Sequence, residues 1–192
     1  MDRGTQVFWA LIIALLGAST YFGFGVQEQM RSMQTPEASL ETGALVHLDR
    51  VIDGDTVVVK TNAGDSVVVR ILGIKSFESS PPKAASARFG AQAVDALRQL
   101  GGSGPIRVLL ASPAKDRHGR TLATLVVGGE DLGLSLVKRG LSLVYTPYPF
   151  PAMSLYLEAQ AAARSDKRGL WGDAGVAERA EALSREWQGQ AE

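Results

Sequence analysis

The chain has 192 residues, with 20 Lys plus Arg balanced by 20 Asp plus Glu and no cysteine. Zero net charge excludes a molecule-wide positive field as the means of attracting nucleic acid, so any such contact has to come from a local patch. The lack of cysteine excludes disulfides, Cys-ligated zinc and thiol catalysis, and is compatible with either side of a membrane.

From Val7 to Val26 the run VFWALIIALLGASTYFGFGV carries no charge, and about 20 apolar residues suffice to cross a bilayer as a helix. Residues 1–26 therefore read as a single N-terminal transmembrane anchor. A cleaved signal peptide is the alternative, but the run exceeds the roughly 7–15 residues of a usual h-region and no A-x-A-like site closes it. Arg3 before the run is matched by Arg31 after it, so the positive-inside bias is weak; the expectation is a single-pass protein with its soluble domain outside the cytoplasm. Residues 27–42, polar and containing Pro36, read as a linker.

From residue 43 the pattern turns β-like: ALVHLDRVI, TVVVK and SVVVRILGI, the last two separated by the turn-forming TNAGD. His47, on the first of these strands, reads as structural. Lys83 to Leu100 places Phe89, Ala93, Ala96, Leu97 and Leu100 on one helical face and stops at Gly101. Strands resume at IRVLLA and RTLATLVV; a short helix is expected from Asp131 to Arg139, then a brief extended LSLVY. Ala152 to Arg168 reads as a helix packed through Leu155, Ala159 and Ala162, with Gly169, Leu170 and Trp171 forming a Schellman-type stop. Three strands, a helix and two strands is the order of a five-stranded Greek-key barrel of the OB type.

Residues 43–172 would be that mainly β, α+β domain, and residues 173–192 an amphipathic tail helix. In the tail Val176, Ala180, Leu183 and Trp187 recur at helical spacing, leaving Glu178, Arg179, Glu181, Arg185 and Glu186 for solvent. Two readings of the apolar face stand: packing back on its own domain, or docking on a protein partner through Leu183 and Trp187.

Three segments together, VIDGDTVVV (51–59), VRILGIKSFES (69–79) and DRHGRTLATLVV (116–127), closely resemble the thermonuclease (staphylococcal-nuclease-like) family. GLSLVYTPY (140–148) and SDKRGLW (165–171) also resemble that family's C-terminal stretches, so the likeness spans the whole soluble domain but not the anchor, linker or tail. It implies a nuclease acting on DNA or RNA. On this resemblance Arg70 and Arg120 grip phosphate oxygens, for which a planar guanidinium is suited. Glu78 stands where the family keeps the carboxylate that activates water. Asp55 stands where the family holds calcium with a hard oxygen ligand, and Ser76 can add a backbone carbonyl. Asp116 would order the turn at Gly119, while Arg117 and His118 either contact a terminal phosphate or form an exposed basic turn.

One position departs from the family pattern. Where the family reads approximately Gly-Ile-Asp-Ala-Pro-Glu, this chain has Gly73, Ile74, Lys75, Ser76, Phe77 and Glu78. An ammonium has three donors and no acceptor, so Lys75 cannot ligate calcium and would repel it beside Asp55. In charge, two Asp, one Glu and a divalent cation sum to the same value as Asp55, Glu78 and Lys75 without metal. Lys75 is therefore expected to stand in for the ion by pairing with Asp55 or Glu78, unless the loop refolds to bring in another carboxylate. Two function classes follow: a membrane-anchored phosphodiesterase using calcium, or a catalytically degenerate module, without a metal cofactor, that binds nucleic acid or a protein within a membrane assembly.

Overall fold

A computed structural model describes residues 40–81, 84–116 and 118–189. Among these no helix is long and apolar enough to cross a membrane; the apolar run at 7–26, and with it the expected anchor, lies outside the described residues.

The strands are β1 (Leu45–Asp53), β2 (Thr56–Lys60), β3 (Ser66–Ile71), β4 (Ile74–Lys75), β5 (Ile106–Lys115), β6 (Thr121–Val127), β7 (Glu130–Asp131) and β8 (Leu143–Val144). The helices are α1 (Ala87–Gly101), α2 (Leu132–Lys138), α3 (Met153–Ser165) and α4 (Ala174–Gln188), with a 3₁₀ turn at Gly169–Gly172. Strands run in the order β3-β2-β1-β5-β6, and a parallel pairing of β3 with β6, Val69 opposite Thr121 and Arg70 opposite Leu122, closes them into the expected five-stranded barrel. Period-2 alternation fills the interior with Val57, Val59, Val69, Ile71, Ile106, Val108, Ala123 and Leu125, all essentially without exposed surface. Branched side chains in that pattern favour a pleated, half-buried strand and bury enough apolar area to hold the barrel shut.

The structure departs from the sequence expectations in three places. The third strand does not continue to Ile74: it stops at Ile71, Gly73 turns with φ 75°, and Ile74–Lys75 leaves the barrel to pair with β8. A side chain at Gly73 would strike the Phe150 ring at 2.3 Å. The packed face of α3 is Tyr156 and Ala163, not Leu155, Ala159 and Ala162; Leu155 is exposed. Tyr156 takes the inward position because its hydroxyl donates to both oxygens of Asp131, at 2.9 and 2.8 Å, and Asp131 in turn caps α2 through the Leu134 N–H. The Schellman stop is centred on Lys167, with φ 52°, two residues before Gly169; Arg168 and Lys167 N–H groups bond the Ala163 and Arg164 carbonyls.

The described residues from Leu40 to Gly189 belong to one compact unit that includes α4. The face carrying Val176, Ala180, Leu183 and Trp187 is turned onto the domain, where it joins Phe77, Phe89, Leu143, Leu170 and Trp171 in one apolar cluster. The Trp187 ring meets Tyr145 edge-on at 5.1 Å, and Asp173, the N-cap of α4, is ion-paired to Arg88 of α1 at 2.5 Å. Docking on a partner through Leu183 and Trp187 would require this helix to leave the domain.

Candidate functional site

The site begins in the turn between β1 and β2. Asp53 Oδ1 accepts the Asp55 N–H at 2.9 Å, a local bond of the kind that makes Asp-Gly-Asp a turn former. Gly54 lets this turn press against the strand end at Ser76: a Cβ there would lie 2.6 Å from that of Ser76. Ser76 answers with its hydroxyl, which donates to the Gly54 carbonyl at 2.7 Å and shares a 2.5 Å hydrogen bond with the fully buried Ser142.

These contacts sink the Asp55 carboxylate into the protein, and both its oxygens are engaged. Oδ1 lies 3.0 Å from Arg70 Nη1 and 3.2 Å from Thr56 Oγ1. Oδ2 accepts the Ser76 N–H at 3.0 Å and lies 3.5 Å from Lys75 Nζ. Of the two pairings open to Lys75, the structure displays the one with Asp55. Burial pushes the Asp55 carboxyl up, while the Arg70 and Lys75 charges oppose that rise. For Asp53 the balance is reversed: burial also disfavours its charge, but hydrogen bonds from Asp55 and Thr56 and the Arg70 charge hold it below the usual carboxylate range.

Arg70 is buried, and most of its fork is spent inward. Nη1 bonds the carbonyls of Asp55 at 3.0 Å and Ile71 at 3.2 Å, and Nη2 bonds that of Ile74 at 2.7 Å. It thereby clasps the turn that carries the chain from β3 to Lys75. A guanidinium has five N–H donors, so Nε and one Nη2 hydrogen are not used by these bonds. Burial lowers its pKa from the usual arginine range, with the Asp55 and Asp53 charges acting in the opposite direction.

Arg120 sits at the opening of β6, brought beside Arg70 by the parallel strand pairing and close enough for its charge to act on it. Its Nε and Nη2 both lie 2.7 Å from Asp116 Oδ2. Asp116 Oδ1 accepts the backbone N–H groups of His118 at 2.8 Å and Arg120 at 3.0 Å, ordering the turn at Gly119 as the sequence implied. The Arg120 side chain stays over a third exposed. His118 lies in the same exposed turn, and Arg117 falls outside the described residues.

Glu78 is exposed and makes no hydrogen bond or ion pair with the described residues. Its loop is placed by α1: the backbone of Phe77 to Ser79 crosses the helix at Gly90, where a Cβ would come within 2.4 Å of the Phe77 carbonyl. Glu78 opens on a groove of about 290 Å³, together with Lys75, Ser76 and, from α4, Arg179. The structure thus brings the buried Asp55, Arg70 and Ser76 together with the half-exposed Lys75 in one cluster, with Arg120 and Glu78 at its exposed edges. Among the described residues no three His, Asp or Glu side chains are grouped so as to hold a metal ion.

Sequence reasoning missed Asp53, Ser142 and Arg179. Asp53 was visible as the first residue of Asp-Gly-Asp, and Ser142 inside GLSLVY, but nothing in either pattern assigns the residue a contact. Arg179 was set aside as a solvent residue of the tail.

A closed five-stranded barrel with helices packed on it, carrying two arginines and a carboxylate at one strand end, defines a nuclease-type OB domain. The family model for staphylococcal nuclease homologues matches residues 68–173, and the chain belongs to that family. Thermonuclease of Staphylococcus hyicus is 31% identical over 124 residues, covering 64% of this chain and 72% of that protein. Endonuclease YhcR of Bacillus subtilis (strain 168) is 32% identical over 148 residues, 72% of this chain but 12% of its own length. An uncharacterized endonuclease of Haemophilus influenzae is 32% identical over 124 residues, covering 65% and 64% respectively. The chain therefore spans less than two thirds of the Bacillus and Haemophilus relatives.

Proposed function

We propose that this protein is a thermonuclease-fold module that binds the phosphates of single-stranded nucleic acid while its calcium-dependent hydrolysis is suppressed. The observation that carries this is the 3.5 Å separation of Lys75 Nζ from Asp55 Oδ2. Calcium takes six to eight oxygen ligands. The donors present here do not suit it: Asp55 supplies one carboxylate, each of its oxygens already faces a cation and a hydrogen-bond donor, and the Lys75 ammonium beside Oδ2 repels a divalent ion.

The chain's own residues still perform part of the task. Arg120 keeps three of its five N–H groups clear of Asp116 and can take a phosphate oxygen in bidentate fashion. Arg70, close enough for the two charges to act on each other, adds positive potential there. Glu78 is placed to accept a proton from a water in the groove, but without strong charge neutralisation at the phosphorus such a base contributes little rate. The uncharged run at residues 7–26 supports a retained membrane anchor, with the domain proposed to lie on the extracytoplasmic side.

The test is cleavage of labelled single-stranded DNA by the purified chain in calcium or in EDTA. The proposal expects no difference between the two conditions, and appearance of calcium-dependent cleavage in Lys75→Asp. The second reading, a working calcium-dependent endonuclease, is favoured by the names of the relatives; rapid calcium-dependent cleavage by the unaltered chain, abolished in Arg120→Ala, would establish it. For the anchor, deletion of residues 1–26 should release the protein from membranes that otherwise retain it through alkaline extraction.

A further inference from the structure

We infer that Arg179, on the tail helix α4, is a phosphate-binding residue that extends the nucleic-acid site beyond the family-matched segment. The inference rests on the binding function proposed above and adds to it a contact that the match over residues 68–173 does not reach.

Three observations converge on this side chain. Arg179 lines the same groove as Lys75 and Glu78; Lys75 is turned to Asp55, so Arg179 is the cation of the lining that no carboxylate among the described residues meets. Its guanidinium lies over the Phe77 ring, 5.6 Å from the centroid, and Phe77 immediately precedes Glu78. An aromatic face holds a guanidinium in place while leaving its N–H edge unspent. Finally, other arginines of the helices around it are ion-paired, whereas it has no such partner among the described residues. Arg164 and Arg185 both meet Glu181, at 2.6 and 3.7 Å, and Arg88 meets Asp173 at 2.5 Å. Arg179 has no carboxylate partner among the described residues.

An arginine held over an aromatic ring, without a carboxylate partner among the described residues and bordering an open groove, fits an anion that offers two oxygens to its paired N–H donors, and the two non-bridging oxygens of a phosphodiester do so. The groove floor of Leu143, Leu183 and Trp187 gives the sugar and base beside it an apolar surface. The appended helix would thus lengthen the strand-binding track by about one phosphate.

The experiment measures fluorescence anisotropy of a labelled oligo-dT with the full chain, in detergent, over a series of salt concentrations, alongside melting temperature. Arg179→Gln should weaken binding about tenfold and reduce the slope of log affinity against log salt by about 0.7, the value of one single-strand phosphate contact. Its melting temperature should stay unchanged, and Arg179→Lys should restore the slope. If the unaltered chain binds oligo-dT and Arg179→Gln binds with the same affinity and slope, this inference is overturned while the proposed function stands. If weakened binding comes with a lowered melting temperature and Arg179→Lys restores neither, the role is structural and the inference also falls. If the unaltered chain does not bind oligo-dT, the proposed function and this inference fall together.

Discussion

The inner and outer halves of the site differ in how their charges are met. Inside, Asp55 and Arg70 are buried; both Asp55 oxygens and three of the five Arg70 N–H groups are engaged, by each other, by Ser76 and by three backbone carbonyls. Outside, Glu78 and Arg179 are exposed and unpaired among the described residues, and Arg120 is tied by one edge only. Lys75 stands between, its side chain nearly half exposed while its ammonium reaches inward to Asp55. The difference teaches that the same residue types can serve opposite ends: the inner charges hold the barrel's end together, and in the function proposed the outer ones meet the ligand.

This comparison can be broken by substitutions on each side. Arg70→Ala should be the most damaging, because it leaves a buried carboxylate and three carbonyls without their donor. A loss of about 3–5 kcal/mol in denaturant unfolding is expected, and a loss under about 1 kcal/mol would show that Arg70 is a surface-type residue after all. Gly90→Ala forces a methyl group against the Phe77 carbonyl; overpacking of this kind costs about 1–3 kcal/mol, and oligo-dT binding should weaken as the Glu78 loop shifts. Arg120→Ala should cost no more than about 1 kcal/mol of stability, as an exposed ion pair does, yet weaken oligo-dT binding.

The smallest effect concerns acid. Burial alone would raise the Asp116 carboxyl, but the Arg120 side chain and the Arg120 and His118 N–H groups outweigh it and hold it below its ordinary 3.8. A depressed carboxylate contributes stability that is complete above the unfolded value and is lost as pH falls through the folded one. Stability should therefore decline below about pH 3.8, and Asp116→Asn should flatten that decline in acid titrations followed by circular dichroism.

The barrel was legible because its strands advertise themselves: TVVVK and TLATLVV are short and rich in β-branched residues, and TNAGD between the second and third strands is rich in turn formers. The pairing of Lys75 with Asp55 was legible in kind, from charge, though not the choice over Glu78, which depends on Ser76 and Gly54 pressing two loops together. The inward engagement of Arg70 was not, because a guanidinium at a strand end looks the same in sequence whether it faces carbonyls or solvent. Tyr156 was passed over for Leu155 because hydropathy ranks the leucine higher, and only the distant Asp131 makes the tyrosine the better core residue. The tail helix was visible as amphipathic, but which surface its apolar face covers is set by Phe77, Phe89 and Trp171, far off in the chain.

The central claim, that Lys75 occupies the place of a divalent cation beside Asp55, is tested most directly by melting the protein in a calcium series. Ligand that binds the folded state alone raises stability by RT ln(1 + [L]/Kd). The account predicts no change in melting temperature for the unaltered chain up to millimolar calcium and a rise for Lys75→Asp. Clear stabilisation of the unaltered chain at millimolar calcium would contradict it.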